Sequence, residues 1–191
     1  MQIENRYNNI LLYDSTISAD DRLLNEWTIV NSPATCLQRS TEKNYELIVI
    51  FQKLRLLKER FAMVELCSIL KQNRPTQHLP LLCLLPSKHR GLLEQLQNAG
   101  TEYAKFYNPV EPLSKAHLKS LLAKPSEDCR IGWILSGICP HINYFPISER
   151  QEIMYCGAYR NRLVLGSHRL IHVCETSNHK TCQYFKCPKF F

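Results

Sequence analysis

The sequence predicts an α/β chain in which a doubly wound, mostly parallel five-stranded sheet is followed by a small cysteine-rich α+β metal-binding domain. Three observations predict it. Short apolar runs alternate with helical stretches through the first two-thirds of the chain. Two of those runs, at 47–51 and 79–85, are apolar at nearly every position. Finally, six of the nine cysteines fall from position 129 onward. A continuous apolar run of strand length suits a strand buried on both faces of a parallel sheet. Strands that alternate with helices join by right-handed crossovers within one sheet.

Each element has a local signal. Ile10-Leu11-Leu12-Tyr13 is a strand closing at Asp14, and Ser18 can cap a short helix towards Asn25. Trp27-Thr28-Ile29-Val30 is β-branched and strand-like. Ser32-Pro33 then reads as an N-cap with proline at the first helical position. Leu47 to Phe51 is the third strand. Leu57, Phe61, Val64 and Ser68 follow helical spacing, with Leu66, Ile69 and Leu70 on the neighbouring stripe, and Asn73-Arg74-Pro75 ends that helix. Leu79 to Leu85 is a fourth strand. Ser87 can cap the following helix, which carries Leu92, Leu93 and Leu96 and stops at Gly100. Tyr103 to Phe106 is the last strand, and Leu113, Leu118, Leu121 and Leu122 mark a closing helix. The polar, proline-containing stretch Lys124 to Asp128 divides the chain into domains at 1–123 and 124–191.

Composition bounds the function. With 191 residues, 45% hydrophobic and 21% charged, the chain has the make-up of a folded protein. Its net charge of +7 favours anionic partners, an acidic protein first and nucleic acid second, although no block of like charges appears. No apolar run approaches the ~20 residues that span a bilayer, and the first residues lack a signal-peptide pattern. The expectation is a cytoplasmic protein with reduced thiols and no membrane association. Neither G-x-G-x-x-G nor a P-loop occurs, which argues against a phosphate-cradling loop.

Over residues 8–123 the order of elements resembles the receiver domain of bacterial response regulators. That resemblance implies an acidic pair after the first strand, an acceptor aspartate closing the third, a hydroxyl closing the fourth, and lysine before proline after the fifth. Here those positions read Asp14-Ser15, Phe51, Leu85 and Asn108 before Pro109. Transfer of a phosphoryl group needs an acceptor, metal-holding carboxylates and a cation. The resemblance is therefore to a degenerate, phosphorylation-incompetent receiver that serves as a docking domain.

The remaining cysteines point to a metal. Cys139, Cys156, Cys174, Cys182 and Cys187 are spaced C-x16-C-x17-C-x7-C-x4-C. Arg162 to Leu165, Gly166-Ser167 and His168 to Val173 read as a β-hairpin within 160–173, with glycine suited to a type II′ turn. Such a hairpin would bring Cys156 beside Cys174 and set Arg160, Arg162 and Arg169 on one face. Zinc sites favour closely spaced cysteine pairs, to which only Cys182 and Cys187, with four residues between, come near, whereas a cubane accepts single thiolates from separate loops. The expected ligands are Cys139, Cys156, Cys174 and Cys182, with Cys187 or His179 as substitutes. The expected cofactor is a 4Fe-4S cluster, with zinc as the alternative. Cys129 and the histidines His141, His168 and His172 are assigned to packing or surface.

No catalytic constellation accompanies these residues. The function they imply is a non-enzymatic regulatory or adaptor protein with a centre for redox sensing, electron transfer or structure. The alternatives are a metal-dependent nucleic-acid-binding regulator and an accessory subunit of an iron–sulfur enzyme.

Overall fold

The computed structural model describes residues 7, 9–16, 27–54, 56–109, 115–122, 125–160 and 162–189. Among these, strands β1 (Ile10–Asp14), β2 (Trp27–Val30), β3 (Leu47–Phe51), β4 (Leu81–Leu85) and β5 (Tyr103–Phe106) form one sheet in the order β2-β1-β3-β4-β5. Every pairing is parallel. Helices α1 (Pro33–Glu42), α2 (Leu57–Gln72), α3 (Arg90–Asn98) and α4 (Lys115–Leu121) connect and flank the strands. The strand order 2-1-3-4-5 is that of the flavodoxin-like doubly wound folds, receivers among them. The helix expected after Ser18, with Asp20-Asp21, lies outside the described residues, as does Leu113.

The sheet is buried on both sides because its central strands are apolar at both parities. Leu11, Ile48, Ile50, Leu81, Cys83 and Leu85 face one cluster, together with Met63, Leu66, Cys67 and Leu70 of α2 and Leu92, Leu93 and Leu96 of α3. Ile10, Leu12, Leu47, Val49, Leu82 and Leu84 face the other, with Leu118 of α4. Ser32 caps α1 as expected, its hydroxyl accepting from the Thr35 N–H at 3.1 Å.

Two local expectations fail. The buried face of α2 is Met63, Leu66, Cys67 and Leu70, whereas Phe61 is 62% exposed and Ile69 is exposed as well. Both stripes are apolar, and the stripe one residue away fits the sheet. Helix α3 is capped by His89, whose Nδ1 accepts from the Leu92 N–H at 3.0 Å, in place of Ser87. Gly100 does end that segment, with a positive φ of 90°.

After α4 come a short 3₁₀ turn (Glu127–Cys129), helix α5 (Ile131–Ser136) and a three-stranded antiparallel sheet. Its strands are β6 (Ile142–Pro146), β7 (Glu152–Cys156) and β8 (Leu163–Val164). The chain then forms one helical turn α6 (Ser167–Arg169), a π-helical turn (Leu170–Cys174), a 3₁₀ segment (Ser177–Thr181) and helix α7 (Gln183–Lys186).

The expected 160–173 hairpin is thus corrected: its first strand survives as β8, but its second is helical. Two physical reasons account for this. Gly166 has φ −72° and ψ 158°, an extended conformation without the positive φ that a type II′ turn demands. Leu170 and Cys174 are the buried positions, four apart, while Ile171 and His172 are exposed, which is a helical period. The true hairpin is β6–β7, with Ile142 opposite Cys156 and Tyr144 opposite Met154.

This region packs onto the start of α3. The Arg90 guanidinium donates to the carbonyls of Ile138 at 2.9 Å and Leu135 at 3.3 Å, capping the exit of α5. Its backbone N–H donates to Tyr144 Oη at 2.9 Å. Arg60 of α2 and His89 both reach Glu152 of β7.

Candidate metal centre

Cys139 lies between α5 and β6, and its backbone N–H donates to the Cys174 carbonyl at 2.7 Å. Cys174 ends the π turn. Cys156 ends β7, in register with Ile142, three residues after Cys139. Cys182 precedes α7, and Arg169 Nη2 donates to its Sγ at 3.5 Å. The thiols also sense one another through space. Cys174 feels Cys139, Cys156 and Cys182, and Cys139 feels Cys156 and Cys182. Coulomb coupling falls with distance, so these four side chains share one neighbourhood. The segments that carry them arrive by a route different from the expected hairpin.

The environment is mostly dry. Cys139, Cys156 and Cys174 are all buried, and Cys182 is half-buried. Burial pushes the Cys174 thiol up to about 11, with Cys139 adding to it, and raises Cys139 as well. Cys182 goes the other way. Burial would raise it, but the backbone N–H groups of Phe185 and Tyr184 and the Arg169 guanidinium together hold it below its ordinary value. Cys182 is therefore more disposed to ionise than Cys139 or Cys174. Among the described residues, no group of three or more His, Cys, Asp or Glu is drawn into a shell that would hold a metal ion.

The two named substitutes stand differently. Cys187 is exposed beyond α7. His179 is buried, donates from Nδ1 to the Thr176 carbonyl at 2.7 Å and meets Phe185 edge-on at 4.9 Å. In the neutral ring that leaves Nε2 as the lone-pair nitrogen. His168 and His172 are exposed, their rings 4.6 Å apart. Cys129 is only partly buried and lies near Asp128 and Ser126, so it is not the core residue its apolar neighbours suggest. Cys36, Cys67 and Cys83 are in the core of the larger sheet.

Without the second hairpin strand, the three arginines do not line one face. Arg160 takes a positive φ of 52° and donates its N–H to the Lys189 carbonyl at 2.7 Å. Arg162 is exposed. Arg169 turns inward, with its guanidinium 5.2 Å from the Tyr184 ring and its hydrogen bond on Cys182.

At the carboxyl edge of the large sheet, Asp14 pairs in register with Phe51. Asp14 is buried, and one of its carboxylate oxygens accepts from the Thr16 N–H and hydroxyl, both at 2.7 Å. These are the bonds of a turn anchor. Phe51 is buried and meets the Tyr107 ring edge-to-face at 5.2 Å. An edge-to-face aromatic pair thus closes β3 at this edge of the sheet.

The fold defines an α/β protein with a doubly wound parallel sheet in receiver-like strand order, closed at β3 by Phe51. No protein-family model and no curated protein matches the sequence. Among solved structures, the chain is similar to the RcsB response regulator of Salmonella typhimurium, in a structure concerned with DNA interaction. Identity is 11%, the TM-score is 0.36, and the match covers 63% of this chain and 67% of that one. So loose a superposition carries no weight, and the receiver-like reading rests on strand order. Among the described residues no helix is long and apolar enough to cross a membrane.

Proposed function

We propose that Cys139, Cys156, Cys174 and Cys182 bind a 4Fe-4S cluster, and that the chain is a non-enzymatic regulatory or adaptor protein. One observation carries this reading: Cys139, Cys156 and Cys174 are buried, Cys139 is tied to Cys174 by a backbone hydrogen bond of 2.7 Å, and Cys156 closes β7 opposite Ile142, three residues after Cys139. An all-thiolate set without a closely spaced pair suits a cubane better than a zinc ion. A cluster supplies one-electron chemistry or structural support. The chain's own contribution is to exclude water with Ile138, Leu170 and their neighbours. It also places a fixed positive charge, Arg169, against Cys182.

The receiver-like half would be the docking surface. Phe51 at the sheet edge rules aspartyl phosphorylation out of that role, so its partner would be recognised by shape and charge. A net charge of +7 favours an acidic protein surface.

The test is purification without oxygen, followed by a visible absorbance spectrum and measurement of iron, sulfide and zinc. The expected result is a broad visible band with about four iron and four sulfide per chain. One zinc per chain without iron would replace the cluster with a zinc centre, and protein carrying neither metal would overturn the reading.

A further inference from the structure

A groove of about 760 Å³ opens between the last strand of the large sheet and the cysteine-rich region. That volume is in the range of small-molecule sites. It is lined by Ala104 to Phe106 of β5, by α5 and by the turn after Cys174. It is not part of the thiol cluster, although its walls run directly into Cys139 and Cys174.

The lining has two kinds of chemistry. Three lysines enter from three elements: Lys88 before α3, Lys105 on β5 and Lys180 on the 3₁₀ segment. Lys88 stands 6.0 Å from the Phe106 ring centre. Two carboxylates share the groove, Asp128 beside Lys105 and Glu175 near Lys88. Asp128 accepts from the Ser126 hydroxyl. Three lysines against two carboxylates leave the groove with a net positive charge. On the α5 wall is Trp133, 68% exposed although it is one of only two tryptophans in the chain. An indole left in water at the mouth of a cationic groove is a stacking platform for a flat ring.

We infer that this groove binds a nucleoside phosphate, with the base against Trp133 and the phosphates among Lys88, Lys105 and Lys180. Lysine is an effective point-charge ligand for phosphate, and an exposed aromatic face accepts any base. Phosphate alone would make no use of Trp133, and an uncharged ring would make no use of the lysines.

The experiment uses the full chain with Trp27→Phe, which leaves Trp133 as the fluorescent reporter. ADP, adenosine and inorganic tripolyphosphate are titrated separately. ADP should quench the fluorescence saturably, and Lys88→Ala with Lys180→Ala should weaken it about tenfold or more, since charged hydrogen bonds are lost. Adenosine and tripolyphosphate should each bind at least about tenfold more weakly than ADP. Calorimetry with Trp133→Ala should show weakened binding with the fold intact by circular dichroism. Absence of saturable quenching by millimolar ADP would overturn the inference. So would unchanged affinity in the lysine variant, or tripolyphosphate binding as tightly as ADP.

Discussion

The imidazole of His89 lies stacked on the phenol of Tyr144, their centres 3.8 Å apart and their planes 24° from parallel. His89 begins α3 in the receiver-like half, whereas Tyr144 is in β6 of the cysteine-rich region. Each also serves the backbone at that junction: His89 Nδ1 accepts from Leu92 N–H, and Tyr144 Oη accepts from Arg90 N–H. With Nδ1 accepting, the neutral ring carries its proton on Nε2, facing Glu152 at 3.1 Å.

This geometry makes the junction sensitive to acid. Burial, followed by the Arg60 charge, holds His89 below its ordinary value of 6.5 despite Glu152. In the window just below 6.5 the unfolded chain binds this proton while the folded chain resists it, so stability falls as pH drops through that window. Protonation of Nδ1 would also abolish the α3 cap. Urea midpoints measured at intervals from neutral pH down to about 5 should decline, and His89→Gln should flatten the decline. Identical slopes in both proteins would show that His89 is not responsible.

The thiol cluster makes a separate prediction. Serine at Cys139, Cys156, Cys174 or Cys182 should lower metal content and expose residues 129–191 to protease, because metal binding and folding are coupled in small sites. Serine at Cys36, Cys67 or Cys83 should leave metal content unchanged, since these thiols lie on α1, α2 and β4 of the large-sheet half. Unchanged metal in all four C-terminal variants would reassign these cysteines to packing.

Acetyl phosphate should leave the protein unlabelled. Asp14 is buried and already accepts from Thr16, and Phe51 cannot accept a phosphoryl group. A hydroxylamine-labile phosphoryl group found on any aspartate by mass spectrometry would contradict the phosphorylation-incompetent docking role proposed above.

Helix α2 can be tested by its two apolar stripes. Met63 is fully buried, and Met63→Ala should cost about 2–5 kcal/mol. Phe61 is mostly exposed, and Phe61→Ala should change stability by no more than about 0.5 kcal/mol. Chemical denaturation of the two variants decides between the stripes. A larger loss at Phe61 would mean that α2 turns its other stripe to the sheet.

The large sheet is legible in the sequence because its signal is local and redundant. Leu47 to Phe51 coincides with the strand observed, since a strand buried on both faces writes its length directly into an apolar run, and Tyr103 to Phe106 coincides as well although only Ala104 of it is buried. The face of α2 is not legible, because Leu57, Phe61 and Val64 compete with Met63, Leu66 and Leu70 at the same period, and only the packed sheet chooses between them. In the C-terminal region the misleading signal is β-branching at Ile171 and Val173. Tertiary packing of Leu170 and Cys174 overrides it. The β6–β7 hairpin escapes a reading by strand signals, although Asn143-Tyr144-Phe145 and Ile153-Met154-Tyr155 flank the polar Ser148 to Gln151 and carry enough pattern to reveal it. The nearness of Cys139 to Cys174 goes with a backbone hydrogen bond between them, a long-range contact that no spacing rule encodes.

The edge-to-face pair of Phe51 and Tyr107 also bears on time. An acyl phosphate carries its own clock, because it hydrolyses and returns the protein to rest without outside help. A phenyl ring has no such decay. In the docking role proposed above, a state at this sheet edge would last as long as a partner stayed bound, so its duration would be a dissociation rate. Resetting it would depend on how tightly the other molecule held.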